Sequence, residues 1–73
     1  MYGERIKELR EERGMSQEKL AQLLCCNQQT VSKYEREVRD LGTHTIIKLC
    51  EIFQVTSDYI LGLEDETGAR KYR

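Results

Sequence analysis

The sequence predicts an all-α domain of five short helices, and three observations carry that prediction. Apolar residues recur every three to four positions along most of the chain, and no run alternates apolar with polar residues as a strand would. A polar capping residue flanked by an apolar one, with a second apolar residue at the fourth helical position, occurs three times. The sets are Met15-Ser16 with Leu20, Cys26-Asn27 with Val31, and Val55-Thr56 with Ile60. In each, the polar side chain can satisfy an orphaned backbone N–H while the apolar pair packs across the first turn as a hydrophobic staple. None is a full capping box, because Lys19, Thr30 and Tyr59 hold the position where a reciprocal Glu or Gln would stand. Finally, Gly14 stands where the first helix should end in a left-handed residue, and Gly62 where the fifth should stop.

The elements follow in order. A first helix is expected from about Gly3 to Arg13, with Ile6 and Leu9 inward. The second runs from Gln17 to about Leu24 and buries Leu20, Leu23 and Leu24. The third runs from Gln28 to about Arg36, turning Val31 and Tyr34 inward and Gln28, Gln29, Ser32, Lys33 and Arg36 outward. After a loop through Gly42, the fourth carries Ile46, Leu49, Cys50 and Phe53 at i, i+3, i+4 and i+7, an apolar stripe. The fifth runs from Ser57 to Leu61. Residues 1–63 therefore read as one domain, and 64–73, opening with Glu64-Asp65-Glu66, as a polar tail.

With 73 residues, folding buries roughly 60% of the unfolded surface. The core is thin, and an enzyme with a deep pocket of its own is not expected. No nucleophile–base pair, phosphate-cradling loop or paired carboxylate site appears either. The formal charge is −1, whereas nucleic-acid binders usually carry a basic excess. Up to residue 40, Arg5, Lys7, Arg10, Arg13, Lys19, Lys33, Arg36 and Arg39 are balanced by Glu4, Glu8, Glu11, Glu12, Glu18, Glu35, Glu37 and Asp40. Placement of charge, rather than its sum, must decide. No apolar run approaches the ~20 residues of a membrane span and no signal-peptide pattern opens the chain, so a cytoplasmic location without membrane contact is expected.

Cys25, Cys26 and Cys50 are odd in number, and two are adjacent. A disulfide framework belongs to secreted chains, and zinc sites use Cys-x₂₋₄-Cys pairs with a second pair of ligands. Here only His44 could add a ligand. Neither a metal nor another cofactor is expected, and Cys50 reads as a small core hydrophobe.

Only Cys25, Cys26 and Asn27 separate the second and third helices, and so short a turn forces a steep crossing: helix-turn-helix geometry. Small Ala21 allows the third helix to approach closely. A glutamine amide can both donate to N7 and accept from N6 of adenine in the major groove, and residues at the start of a recognition helix are those that reach base edges. Gln28 and Gln29 hold that place. Alone, they would read as solvated polar residues at a helix start.

The segments "RIKELREERGMSQEKLAQLL", "NQQTVSKYERE" and "IIKLCEIFQVTSDYILG" resemble the Cro/CI-like (XRE-type) helix-turn-helix family of lambdoid phage repressors and small bacterial regulators. The resemblance covers about Arg5 to Gly62, with "SQEKLA" and the terminal "DYILG" its most specific phrases. It implies a compact five-helix lambda-repressor-like domain that binds double-stranded DNA as a homodimer and regulates transcription. By position it implies base contacts from Gln28, Gln29 and Lys33, with Ser32 on the same face, and phosphate contacts from Gln17, Asn27, Arg36 and Arg39. It also implies an ion pair between Arg10 and Glu35 that ties the first helix to the end of the third.

Three departures from the family pattern stand out. Cys25 replaces the glycine of the turn, where a left-handed backbone is expected at a cost of order 1 kcal/mol for a non-glycine residue. Glu37-Val38 replaces a frequent glycine-lysine, which removes a positive charge near the expected DNA backbone. Leu41-Gly42 replaces a Pro-Ser that usually opens the fourth helix. Tyr59, Leu61 and Leu63 exceed what so small a core can bury and are read as a dimer contact, against the plainer reading of a loosely covered C-terminus. Two other functions share the fold: a protein-interaction module such as an antitoxin, favoured by the near-neutral charge and acidic tail, and a thiol or metal sensor built on Cys25 and Cys26.

Overall fold

A computed structural model of the chain describes residues 2–63. Five helices make up the fold: α1 (Tyr2–Glu12), α2 (Gln17–Leu24), α3 (Gln28–Glu35), α4 (Thr43–Phe53) and α5 (Ser57–Ile60). The polar tail expected over 64–73 lies outside the described residues. No described helix is long and apolar enough to cross a membrane.

All three expected caps form. Ser16 accepts the Lys19 N–H, Asn27 accepts the Thr30 N–H, and Thr56 accepts the Tyr59 N–H, at 3.0, 2.8 and 3.1 Å. The staple residues Met15, Cys26 and Val55 pack against a core that contains their partners Leu20, Val31 and Ile60. Helix ends are equally uniform. Each helix is followed by a left-handed residue: Gly14, Cys25, Glu37, Gln54 and Gly62, with φ between 57° and 78°. After α2, for example, the Cys26 N–H bonds the Ala21 carbonyl at 2.9 Å and the Cys25 N–H bonds Gln22 at 3.2 Å. This is the Schellman arrangement, which satisfies carbonyls that a helix end leaves orphaned. It also trims three expected helices, because Arg13, Arg36 and Leu61 become the residues that turn the chain out rather than helical members.

Every helix contributes to one core: Ile6 and Leu9, Leu20 and Ala21, Val31 and Tyr34, Leu49 and Phe53, and Ile60. Leu23 departs from the expected inward set. It was expected inside, but is 36% exposed. At about 100° per residue, Leu20, Ala21 and Leu24 define an inward face from whose centre Leu23 points roughly 110° away. Cys50 lies half-buried at the core's edge rather than within it. Arg13 closes the far end of the core, donating to the Phe53 carbonyl at 2.8 Å with its guanidinium 5.1 Å from the Phe53 ring centre.

Both ends of α1 are fastened to the end of α3 and the segment that follows it. At one end lies the Arg10–Glu35 pair. At the other, the Gly3 N–H donates to Glu37 Oε2 at 3.2 Å, and the Tyr2 hydroxyl donates to the Arg39 carbonyl at 3.0 Å. Gly3 is buried there because the backbones nearly touch: a Cβ on Gly3 would lie 2.3 Å from the Glu35 carbonyl oxygen. Burial, followed by the charges of Asp40 and Glu37, raises the pKa of the Tyr2 phenol, so it remains a donor in this junction.

Candidate nucleic-acid interface

The turn between α2 and α3 has the expected form. Cys25 adopts φ 58° and ψ 42°, the left-handed conformation of the glycine it replaces. Two backbone hydrogen bonds and the seated Cys26 side chain hold it there. Because Cys26 packs inward, Cys25 must turn outward, and it is exposed. Burial pushes the Cys26 and Cys50 thiols above their ordinary pKa. Thiolate is the reactive form, so a disulfide reagent at neutral pH is expected to modify one thiol of the native protein rapidly and two slowly. In urea all three should react alike; a native count of three fast thiols would contradict this burial pattern.

α3 separates its residues by face as the helical period demands. Val31 and Tyr34 are buried, while Gln28, Gln29, Lys33 and Arg36 are exposed and Ser32 is half-buried between them. These five outward positions span roughly 140° of the helix circumference. Neither Lys33 nor Arg36 makes an ion pair among the described residues; Arg36 Nε lies 3.4 Å from the Ser32 carbonyl of its own helix. Asn27 spends its Oδ1 on the Thr30 N–H and hydroxyl, and its Nδ2 makes no hydrogen bond among the described residues. Arg39 stands apart from α3's outward set, its guanidinium 5.7 Å from the Tyr34 ring centre.

Behind this face runs a chain of polar contacts. Arg10 grips Glu35 in a fork, Nε to Oε2 at 2.7 Å and Nη2 to Oε1 at 3.2 Å, and its Nη1 donates to the Met15 carbonyl at 2.8 Å. Both side chains are nearly buried, 11% and 6% exposed. The hydrogen bond to Glu35 raises the pKa of Arg10, so the guanidinium stays charged. Gln17 Nε2 donates to the same Glu35 Oε1 at 3.1 Å, and Gln28 Nε2 reaches Gln17 Oε1 at 3.4 Å. The ion pair implied by the family resemblance is therefore present, but it extends to the surface through two glutamines. The extension has no local signal in the sequence, because Gln17 and Glu35 meet only once α2 and α3 have crossed.

The arrangement is a short-turned helix pair presenting amide and cationic side chains, buttressed by an ion pair. A family model described as helix-turn-helix matches residues 6–60. The chain belongs to the helix-turn-helix family. The HTH-type transcriptional regulator ImmR of Bacillus subtilis (strain 168) is 38% identical over 63 residues, which are 86% of this chain and 50% of ImmR. The chain thus spans about half the length of that relative. Among solved structures, the restriction-modification controller protein C.AhdI from Aeromonas hydrophila is 32% identical, with a TM-score of 0.74, over 81% of this chain and 89% of that one. The biofilm regulator SinR, solved in complex with DNA, is 27% identical with a TM-score of 0.75, over 84% and 98%.

The remaining site residues lie away from α3. Tyr59 is half-buried against the core with the Arg5 guanidinium 4.2 Å from its ring centre. Leu63 is half-buried and Leu61 is 37% exposed. Larger apolar exposure occurs at Val38 and Ile47, 63% and 53%. Sequence periodicity missed both: Val38 follows a left-handed Glu37, and Ile47 reads as one more apolar residue of α4.

Proposed function

We propose that the chain is a cytoplasmic, sequence-specific DNA-binding transcriptional regulator that acts as a homodimer on a two-fold operator. α3 enters the major groove. Gln28 and Gln29 read base edges with Lys33 and Ser32 beside them, while Gln17, Asn27, Arg36 and Arg39 hold phosphates. The observation that carries this reading is the outward face of α3, where amide and cationic groups converge without competing ion pairs among the described residues. Its placement also answers the neutral overall charge, because Glu35, the acidic residue within α3, is consumed by Arg10. Phosphate contacts would supply most of the affinity and make it fall with salt; the glutamines would supply preference. Two-fold symmetry would place half-sites about one helical turn, ~34 Å, apart, with Tyr59, Leu61 and Leu63 at the dimer contact.

Selection of bound sequences from random duplex DNA tests this directly, and a two-fold consensus is the expected result. On that consensus, Gln28→Ala is expected to cost about 1–3 kcal/mol and to relax preference at one base position. Unchanged affinity and preference in titrations would move the reading face elsewhere. A second reading, a protein-interaction module such as an antitoxin, is favoured by the exposed apolar Ile47 and Leu61, which lie off the reading helix. It predicts a stable heteromeric complex and no salt-dependent retention on DNA.

A further inference from the structure

From Glu37 to Gly42, the segment that leads into α4, only Arg39 is basic. Glu37-Val38 stands there in place of the frequent glycine-lysine, so any phosphate contact from this segment falls to Arg39. The backbone around it is held at several points. The Glu37 and Val38 N–H groups donate to the Tyr34 and Lys33 carbonyls at 3.1 and 3.0 Å. Glu37 is left-handed, and its carboxylate accepts the Gly3 N–H. The Tyr2 hydroxyl then donates to the carbonyl of Arg39 itself.

The charges of the segment are parted by the same contacts. The pKa of Tyr2 is raised by burial first and then by Asp40 and Glu37, so both acids of the segment bear on α1. The Arg39 guanidinium instead lies over the Tyr34 ring, within cation–π range, and forms no ion pair among the described residues. Its charge also lowers the Cys26 pKa, against the larger raising effect of burial, which puts the guanidinium alongside α3. A long side chain gives up rotamer freedom when a ligand orders it. Arg39 has less to give up, because its backbone and its guanidinium are each already held by a tyrosine.

We infer that Tyr2 is a positioning residue for DNA: by tying the Arg39 carbonyl to α1, it sets in advance the cation that this segment presents to a phosphate. This rests on Arg39 holding a phosphate, as proposed above. The first turn of α1, which itself need not touch the duplex, thereby contributes to affinity. The contribution is blind to sequence, since a phosphate contact positions the protein without reading bases.

The test is a double-mutant cycle on the selected consensus duplex and on an unrelated one, each titrated over a range of salt. Arg39→Gln is expected to weaken both complexes by the same factor and to lower the slope of log affinity against log salt by about one. Tyr2→Phe keeps the ring and removes only the hydroxyl; it is expected to weaken both complexes about three- to tenfold. Added to Arg39→Gln, it should change little, because its effect passes through Arg39. Wild-type affinity in Tyr2→Phe, with Arg39→Gln weakened, would overturn the positioning role and leave Arg39 as a phosphate contact. The same Tyr2→Phe loss with and without Arg39 would overturn it too, by showing that the hydroxyl acts on the fold at large. If Arg39→Gln changes neither affinity nor slope, the phosphate reading of Arg39 has failed and the inference falls with it. The free protein gives a readout that needs no DNA. In Tyr2→Phe the backbone amides of Val38, Arg39 and Asp40 should lose order by nitrogen relaxation while those of α3 keep theirs, and unchanged order at all three would overturn the inference whatever the duplexes show.

Discussion

Arg10→Ala is expected to lower folding stability by about 3–5 kcal/mol, the cost of stranding one partner of a buried ion pair. The fork to Glu35 is short on both arms, and neither side chain is more than 11% exposed. The change also removes the donor to the Met15 carbonyl, just past the end of α1. Typical domains have only 5–15 kcal/mol in total, and small ones sit low in that range, so the variant should be largely unfolded at 37 °C. The contrast within the molecule is Arg5–Glu8, at 3.9 Å with Glu8 59% exposed. Glu8→Ala should cost less than about 1 kcal/mol. Replacing both members, as Arg10→Met with Glu35→Met, should recover part of the loss, because no charge is then left buried. Urea unfolding of the three variants is the measurement. An Arg10→Ala midpoint close to that of Glu8→Ala would mean that the pair is solvated in solution.

Gly3→Ala is expected to destabilise the fold by about 1–3 kcal/mol, the usual range for forcing atoms into a packed site. Helix propensity alone would give the opposite sign, since alanine is favoured over glycine by about 1 kcal/mol inside a helix. Sterics win because the new methyl would meet backbone, the Glu35 carbonyl oxygen at 2.3 Å, which no side-chain rotation relieves. The chain has one escape, unwinding the first turn of α1. That route forfeits the Gly3–Glu37 and Tyr2–Arg39 hydrogen bonds, each worth about 0.5–1.5 kcal/mol, together with the packing of Tyr2. Both routes lead to a similar loss. A thermal midpoint at or above that of the wild type would show that α1 does not approach α3 this closely.

Local chemistry explains which features could be read from the sequence. Caps, staples and the Gly14 and Gly62 stops are written within five or six consecutive residues, and they appear where expected. The left-handed Cys25 was legible only through the family resemblance, which puts a glycine at that place in the turn. Leu23 was not, because an apolar residue in an eight-residue helix declares its face only relative to its neighbours. Glu37 and Gln54 also take left-handed conformations that their residue types do not advertise. At the interface, the outward residues of α3 follow from its period, whereas the Glu35–Gln17–Gln28 sequence of contacts does not. It joins residues 18 and 11 positions apart and exists only after packing.

The double fastening of α1 to α3 has a bearing on how the molecule comes apart. The hydrogen bonds from α1 to Glu35, Glu37 and Arg39 span 25, 34 and 37 residues of chain, so all three are lost when either the first helix or the end of the third with its following segment comes away. Loops of that size close at an entropic penalty that only simultaneous formation of several contacts offsets. α1 and α3 should therefore protect and release their amide protons as a single cooperative unit, although they are not neighbours in sequence. No half-folded chain would then display an ordered α3 to a duplex, and a protease that clips the first helix would erase recognition as fully as one that cuts the third.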